Sequence, residues 1–451
     1  MSKILFENAV IMSEGPRYEG WLLTDGELID SLGAGEAPAY VKADERVDCR
    51  GKWLLPGVID AHVHFRDPGL TEKADMASES AAAVAGGVTS YFDMPNTVPQ
   101  TTTLEAWQGK MERGAEASRA NYAFFIGATN GNLDTLLKAD YKRVPGVKLF
   151  LGSSTGNMLV DADDTLRRLF SEIDVPVAVH AEDEAIIAAA RERLKAEYPD
   201  GIPVECHPDL RPREACVAAT RRAIRLAEES GARLHICHVS TADELRLIAD
   251  AKARGVKVTA ETCPQYLLWD RNDFATLGAR IKCNPSIKEA SDRIALVRAL
   301  APGGAIDTIA TDHAPHLLSQ KEGDALKAAS GMPMVQFSLP AMLDLVDSDP
   351  EAEDLLTHER IVELMCHAPA RVFGVDRRGA LRPGYYADLT LVEPLRLPGV
   401  KVTDADVVSR CGWTPLAGRT LSYRVASTWV SGRRAFPDAD PSQRGSALSF
   451  R

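Results

Sequence analysis

Short apolar runs rich in β-branched residues recur along the middle of the chain, and an amphipathic stretch follows most of them. Gly, Pro, Asp or Asn bounds each run, a pattern typical of buried strands. The clearest helical patterns span 183–198 and 213–230, and Gly231 is placed to end the second. The predicted strands begin near these residues: Gly57, Thr89, Asn121, Val147, Val175, Arg233, Val256 and Asp307.

Strands that alternate with helices in this number predict an α/β fold of the (β/α)8 TIM barrel type. An open doubly wound sheet would alternate as well, but it usually carries a Gly-rich phosphate turn after its first strand. No such turn follows the first predicted strand, which ends in HVHF (62–65). We therefore predict a barrel over residues 56–375.

The two ends of the chain show a different pattern. Residues 1–55 alternate apolar and polar positions between glycine turns, as short antiparallel strands do, and residues 380–435 do the same. We predict that the end segments, 1–55 and 376–451, pair into one small β-sandwich domain beside the barrel. The last fifteen residues, 437–451, are polar, and we expect them to form a loose tail.

The net charge, the cysteine spacing and the apolar runs of the chain exclude several classes of protein. A formal net charge of -12 argues against a nucleic-acid surface, although a small anionic substrate needs only one or two local cations. The eight cysteines include no C-x-x-C pair, which is typical of reduced thiols in a cytosolic protein. The chain shows neither a signal-peptide pattern nor an apolar run of membrane-spanning length. We expect a cytoplasmic protein with neither nucleic acid nor membrane as a partner.

Six of the ten histidines lie at, or within a few residues after, the end of a predicted strand. Barrel enzymes build their active sites at those strand ends. A lone histidine there is usually a hydrogen-bonded core residue, but several at matching positions predict a metal site, because imidazole and carboxylate bind zinc. The candidate ligands are His62, His64, His180, His238 and Asp312. We expect no site role for His207, His235, His358 and His367.

Lys148 stands inside an apolar strand, GVKLFLG (146–152), where a bare ammonium is costly to bury. A desolvated amine gives up its proton more readily, and it can then capture carbon dioxide as a carbamate. Such an anion would offset the charge of two metal ions, whereas an ammonium would add repulsion. A lysine at a strand edge can instead extend to water, and the spacing does not decide between the two.

Six motifs, in order, resemble those of the amidohydrolase superfamily and specifically its dihydroorotases. The motifs are HVHFRDPG (62–69), MPNT (94–97), the Lys148 strand, HAE (180–182), CHVS (237–240) and ATDHAPH (310–316). They extend over roughly residues 50–335, and LRPGYYADLTLV (381–392) is similar to the strand pair that closes the small β domain in that family.

The resemblance implies a cofactor, a reaction and an assembly. Two zinc ions per chain are expected, held by His62, His64, carboxylated Lys148, His180, His238 and Asp312. Asp312 would act as general base and then general acid while dihydroorotate and N-carbamoyl-aspartate interconvert in pyrimidine biosynthesis. Some dihydroorotases use Asp as the bridging group, but GVKLFLGSSTG (146–156) is similar to the lysine type. A homodimer or larger homo-oligomer is expected.

Two further residues distinguish this chain from related families. Allantoinases tend to carry Asn at the position of Arg66, and hydantoinases and dihydropyrimidinases lack both Arg66 and Asn96. The guanidinium of Arg66 matches the ring carboxylate of dihydroorotate, and Asn96 can bind the same group. The alternative for Arg66 is a surface ion pair with Asp67 or Asp75.

Softer similarities suggest substrate contacts at Asn284 and His316. The chain departs from many dihydroorotases in reading NPSIK (284–288) for NPPLR and GMPMVQ (331–336) for GxPGLE. Segment 316–331 is either a lid over the substrate or a loop and helix after the last strand. Two functions remain as alternatives: another cyclic amidohydrolase, acting on hydantoin or allantoin, and a non-catalytic partner, for instance of a transcarbamoylase.

Overall fold

The structure, a computed structural model, describes residues 2–152, 158–160 and 162–451. The strands within these residues are β1 (Lys3–Ile11), β2 (Tyr18–Asp25), β3 (Leu28–Ala34), β4 (Glu45–Asp48), β5 (Trp53–Pro56), β6 (Val58–Val63), β7 (Val88–Asp93), β8 (Asn121–Phe124), β9 (Ile126–Gly127), β10 (Val147–Phe150), β11 (Val177–His180), β12 (Leu234–Ile236), β13 (Val258–Thr262), β14 (Thr308–Ile309), β15 (Leu389–Pro394), β16 (Val400–Lys401), β17 (Thr420–Leu421), β18 (Tyr423–Val430) and β19 (Arg433–Phe436).

Most of the helices lie between the strands of the central part of the chain. The α-helices are α1 (Met76–Ala85), α2 (Leu104–Ala117), α3 (Leu133–Leu136), α4 (Asp163–Glu172), α5 (Glu184–Glu197), α6 (His207–Leu210), α7 (Arg213–Ser230), α8 (Ala242–Ala253), α9 (Pro264–Leu268), α10 (Phe274–Leu277), α11 (Ala290–Ala299), α12 (Ser338–Ser348), α13 (His358–Val362) and α14 (Ala368–Phe373). Short 3-10 turns span Val204–Cys206, Arg271–Asp273, Gly278–Ile281, Leu318–Lys321 and Asp404–Asp406, and a π-helical turn spans Glu363–His367. None of the helices in the described residues has both the length and the apolar character needed to cross a bilayer.

Parallel strands β6 to β14 form the barrel. Strands β6, β7 and β8 pair in one parallel run, and β9 to β14 pair in a second. One predicted strand is broken at Phe125 into β8 and β9, which pair with β7 and β10 respectively. The ring closes where Val63 bridges His313 and His64 N donates to His313 O at 2.7 Å. The predicted (β/α)8 barrel is therefore confirmed.

Helices cover the barrel with one apolar face, as α7 illustrates. Its buried positions recur every three to four residues and so form a single stripe. That stripe consists of Ala215, Cys216, Ala219, Thr220, Ala223, Ile224, Leu226 and Ala227. The helix ends at Gly231, whose φ of 75° is left-handed, as the sequence predicts.

Both ends of the chain share one sheet, as predicted. Its strand order is β19-β18-β15-β5-β1-β2-β3, with β4 paired to β1. Strand β5 contacts β1 on one side and β15 on the other, so it joins the N-terminal strands to the C-terminal ones. Phe6 and Trp429 pack edge to face across the segments, with ring centroids 4.7 Å apart.

The prediction of a loose tail over 437–451 is wrong. Leu448 N donates to Tyr122 O and Phe450 N donates to Lys142 O, both at 2.9 Å. The side chains of Leu448 and Phe450 are only 2% and 7% exposed. Two apolar residues at alternate positions therefore anchor a segment that is otherwise polar, because burying them outweighs the cost of ordering the chain.

Candidate metal centre and substrate cavity

A cavity of about 400 Å³ opens at the carboxyl ends of the barrel strands. Residues 326–331 form one wall of the cavity and are part of the candidate lid segment 316–331. The structure of segment 316–331 is a loop with one short 3-10 turn, Leu318–Lys321. Residues 153–157, which include part of the sequence that suggested the lysine type, lie outside the described residues. Every site residue predicted from the sequence lines the cavity: His62, His64, Arg66, Asn96, Lys148, His180, His238, Asn284, Asp312 and His316.

Two histidines and a carboxylate converge on one side of the cavity. His62 lies on β6 and His64 directly follows this strand. Asp312 Oδ1 lies 3.0 Å from His64 Nε2 and 3.4 Å from His62 Nε2. One ligand atom from each of the three lies within 4.8 Å of the others. Burial alone would raise the pKa of Asp312, but His62 and His64 hold it below its usual value, so the carboxylate stays ionised.

The other two histidines meet beside Lys148. His180 ends β11 and His238 follows β12, and His180 Nδ1 lies 3.0 Å from His238 Nε2. Lys148 on β10 is fully buried, and its Nζ lies 3.1 Å from Cys237 Sγ. The side chain of Lys148 therefore does not extend to bulk water. Burial lowers the pKa of both His180 and His238, and the nearby Lys148 lowers it further.

Two buried acids that the sequence did not single out hold the ligand rings. Glu261 Oε1 lies 2.6 Å from His62 Nδ1, and Glu182 Oε2 lies 2.9 Å from His180 Nε2. Arg211 Nε in turn donates to Glu182 Oε1 at 3.0 Å. The sequence does carry a signal for such acids. A carboxylate at the end of an apolar strand, as in VTAET (258–262), is buried and therefore needs a partner.

The arrangement fits a pair of divalent metal ions. Three of the histidines each have one ring nitrogen held by a hydrogen bond, which leaves the other nitrogen free for a metal ion. The pairs are His62 with Glu261, His64 with Asn96, and His180 with Glu182. Among the described residues, His238 Nδ1, Asn284 Oδ1 and His316 Nδ1 are buried without a hydrogen-bond partner. Four imidazoles, a carboxylate and a buried amine form a donor set suited to zinc-like ions.

Backbone strain is concentrated at the same place. Arg66, His238 and Asp312 have φ angles of 65°, 41° and 48°, in the left-handed region that disfavours side chains. Each such residue costs on the order of 1–3 kcal/mol, and such strain tends to occur at functional sites. The three strained residues lie just beyond barrel strands, where the chain turns so that their side chains line the cavity.

Arg66 is buried on the wall that faces the metal ligands. Its Nε donates to Pro315 O at 3.2 Å, and its Nη2 lies 3.1 Å from His316 Nε2. Burial lowers the pKa of Arg66 to about 10, so the guanidinium is charged at neutral pH. Burial, with Arg66 as a further cause, lowers the pKa of His316, which is therefore neutral.

The alternative ion pairs of Arg66 do not form. Asp67 pairs with Arg113 at 3.0 Å, and Asp75 pairs with Arg410. Across residues 2–152, 158–160 and 162–451, no carboxylate pairs with Arg66. Its charge is thus open to an anion in the cavity.

His313 does not line the cavity, and the four histidines for which no site role is expected lie outside it as well. His235 is the one closest to the site, since its Nε2 lies 3.3 Å from Glu261 Oε2. This contact adds a second imidazole to the carboxylate that holds His62. The others are His207, His358 and His367.

Replacing Glu261 by Gln is expected to lower metal affinity by about 10- to 100-fold, the usual effect of losing a partner of a metal-binding histidine. The amide keeps the size of the side chain but removes the charge that orients His62 through Nδ1. Competition with a chromogenic chelator measures the affinity. Glu393→Gln, which removes a carboxylate from the distant β15, is the control. Equal affinities in Glu261→Gln and the unchanged protein would show that Glu261 does not hold the ligand.

Comparison with known proteins places the chain in a family. The model of the amidohydrolase family matches residues 53–435. A dihydroorotase from Halobacterium salinarum is 38% identical over 415 residues, 90% of this chain and 91% of the relative. An allantoinase from Bacillus velezensis is 33% identical over 90% of this chain and 89% of the relative.

A solved structure agrees over the whole length. The L-hydantoinase of Arthrobacter aurescens is 30% identical, superposes with a TM-score of 0.90, and the match covers 100% of both chains. Relatives with these three names are hydrolases of cyclic amides, and the fold, the ligand cluster and the coverage agree with them. The chain belongs to the amidohydrolase family, and it is a cyclic amidohydrolase.

Proposed function

We propose that this chain is a dihydroorotase, which interconverts (S)-dihydroorotate and N-carbamoyl-L-aspartate. Two zinc ions would be held by His62, His64, His180, His238, Asp312 and a carboxylated Lys148. The observation that carries the proposal is Arg66, a buried guanidinium that faces the cavity with no carboxylate partner in the described residues. The ring carboxylate of dihydroorotate supplies that partner. Hydantoin and allantoin rings carry no carboxylate, so they would leave a buried charge unpaired.

The charge of the cavity wall also favours an anionic substrate. Among the described lining residues, Asp312 is the sole acid. The buried and half-buried cations of the wall outnumber it, even with Lys148 as an uncharged or carboxylated residue: Arg66, Lys73 and Lys282. An anion is attracted into such a cavity, whereas an uncharged ring gains nothing from it.

The proton transfers are proposed for Asp312. Bound zinc would act as a Lewis acid that activates water and polarises the ring carbonyl. Asp312 takes a proton from the attacking water and delivers it to the departing ring nitrogen. Asp312 is ionised at neutral pH and so is free to accept that proton, and it lies within 3.4 Å of both His62 and His64.

Orientation of the substrate is proposed for Arg66, Asn96, Asn284 and His316. Asn96 Oδ1 accepts a hydrogen bond from His64 Nδ1 at 2.8 Å. This contact leaves Asn96 Nδ2 able to donate to the same substrate carboxylate as Arg66. The unpartnered Asn284 Oδ1 and His316 Nδ1 are available to the ring amides. Fixing the ring at both ends brings its carbonyl to the metal side of the cavity.

The compartment is part of the same proposal. All eight cysteines are free thiols, and six of them are buried. Unpaired thiols in this number favour a reducing compartment, so we propose that the enzyme acts in the cytoplasm.

Substitution of Arg66 by Met is expected to raise KM for dihydroorotate by about 10- to 100-fold, the worth of a charged hydrogen bond. KM for an uncharged cyclic imide should change little, because that ring does not use the guanidinium. Steady-state kinetics on both substrates measure the difference. Arg246→Met, at an exposed position of α8, serves as the control. Equal losses on both substrates would assign Arg66 a purely structural part and would remove the main support for a carboxylate-bearing substrate.

A further inference from the structure

Lys73 lies on the cavity wall beside Arg66, in the loop between β6 and α1. Its side chain is half-buried. In the part of the chain that the structure describes, Lys73 Nζ has neither a hydrogen bond nor an ion pair. The adjacent acid, Glu72, is exposed to solvent and does not approach within ion-pair distance. Lys73 therefore presents to the cavity a charge that has no hydrogen-bonded or ion-paired partner.

The charges of Lys73 and Arg66 act on one another. Burial lowers the pKa of Lys73, and the nearby charge of Arg66 lowers it further. Burial also lowers the pKa of His316, and Arg66 and Lys73 both add to that decrease. Two like charges on one partly dry wall repel each other, and within the described residues neither cation forms an ion pair with a carboxylate. Such a wall is stabilised when an anion enters between the two groups.

Two other cations of the cavity are already satisfied. Lys282 Nζ donates to the carbonyl of Ala328. Lys327 pairs with Asp324 at 3.6 Å and its side chain is 78% exposed. Their charges are therefore directed to the protein or to solvent. Among the described lining residues, Lys73 has no partner, and Arg66, whose guanidinium carries five N–H donors, contacts only the neutral groups of Pro315 and His316.

We propose that Lys73 is a specificity residue whose ammonium shares the substrate carboxylate with Arg66. The inference rests on the proposed function and deepens it, since it assigns a second cation to the same carboxylate. That carboxylate keeps its charge throughout the reaction, so Lys73 binds the ground state and the transition state equally. Its loss is therefore expected to raise KM and leave kcat unchanged.

The kinetic test compares Lys73→Met, Lys73→Arg and Lys327→Met in the zinc-loaded protein. Lys73→Met is expected to raise KM for dihydroorotate about tenfold at low ionic strength, with kcat within about twofold, and the difference should shrink as salt is added. Lys73→Arg should restore KM, because it restores the charge. Lys327→Met makes the same change at the rim and should alter KM by less than about twofold.

A binding measurement separates this inference from the proposed function. Calorimetry with L-malate, a four-carbon dicarboxylate, needs no turnover; we expect millimolar binding or better, weakened about tenfold in Lys73→Met. If dihydroorotate is not hydrolysed but malate binding still depends on Lys73, the proposed function fails and the carboxylate site stands. The inference is overturned if malate does not bind the unsubstituted protein, if Lys73→Met leaves malate affinity and KM unchanged, or if Lys327→Met has the same effect.

Discussion

Replacement of Asp312 by Asn is expected to lower kcat by at least about a thousandfold while bound metal is retained, as removal of a general acid and base does. The amide keeps an oxygen at the position that faces His62 and His64, but it neither accepts nor delivers a proton in this reaction. The measurement pairs steady-state kinetics with elemental analysis of metal per chain. Asp250→Asn, on the exposed side of α8, is the matched control.

Two outcomes would contradict this expectation. A kcat close to that of the unsubstituted protein would remove Asp312 from the proton transfers. Loss of metal together with activity would show that the carboxylate is needed first as a ligand, and its role as base and acid would then lose its support.

Replacement of Lys148 by Ala is expected to strip metal from the protein and abolish activity, with partial recovery in acetate or propionate. Lys148 is fully buried between the histidine pairs, so a carbamate on its Nζ would supply an anion between two metal ions. The shorter side chain leaves space in which a small carboxylate can take that place. Metal content and kcat, titrated against the added acid, measure the rescue.

Lys148→Met provides the matched control for this experiment. Methionine nearly fills the space of lysine but carries no amine, so metal should be lost without rescue by added acids. An unchanged metal content in Lys148→Ala would contradict a bridging carbamate. Equal rescue of the two variants would show that added acid acts elsewhere than in the vacated space.

The sequence was sufficient for the barrel and for the cluster at its carboxyl end. Parallel strands covered on both faces are continuous apolar runs, and residues that follow their ends share one rim whatever their separation in sequence. His62, His180 and Asp312 could therefore be grouped without knowledge of any contact. The resemblance added Arg66 and Asn96, whose positions depend on loop conformation.

Contacts set by distant parts of the chain could not be predicted. Glu261 and His62 are 199 positions apart, and only the closed barrel brings their side chains together. The pattern of residues 437–451 is polar on average, because Leu448 and Phe450 are the two large apolar side chains among fifteen residues. Leu448 and Phe450 are buried in an apolar cluster with Phe92 and Phe373, which are distant in sequence, so the local sequence does not reveal their burial.

Substrate identity depends on fewer residues than fold or reaction class. The dihydroorotase and the allantoinase relatives have similar sequence identities to this chain, 38% and 33% respectively. The L-hydantoinase shares the whole architecture of the chain. The proposed metal ligands would serve all these rings, because each reaction opens a cyclic amide. Arg66 and Lys73, which line the same cavity but are not among the proposed metal ligands, are therefore the residues that we expect to decide the substrate.

The most direct test of the proposed function is the rate of ring opening by the purified, zinc-supplemented protein. L-dihydroorotate, hydantoin and allantoin are compared at equal concentrations, with loss of ring absorbance as the measure for dihydroorotate. We predict rapid turnover of dihydroorotate that a chelator abolishes, and little turnover of the two uncharged rings. Turnover of hydantoin or allantoin without turnover of dihydroorotate would contradict the proposal.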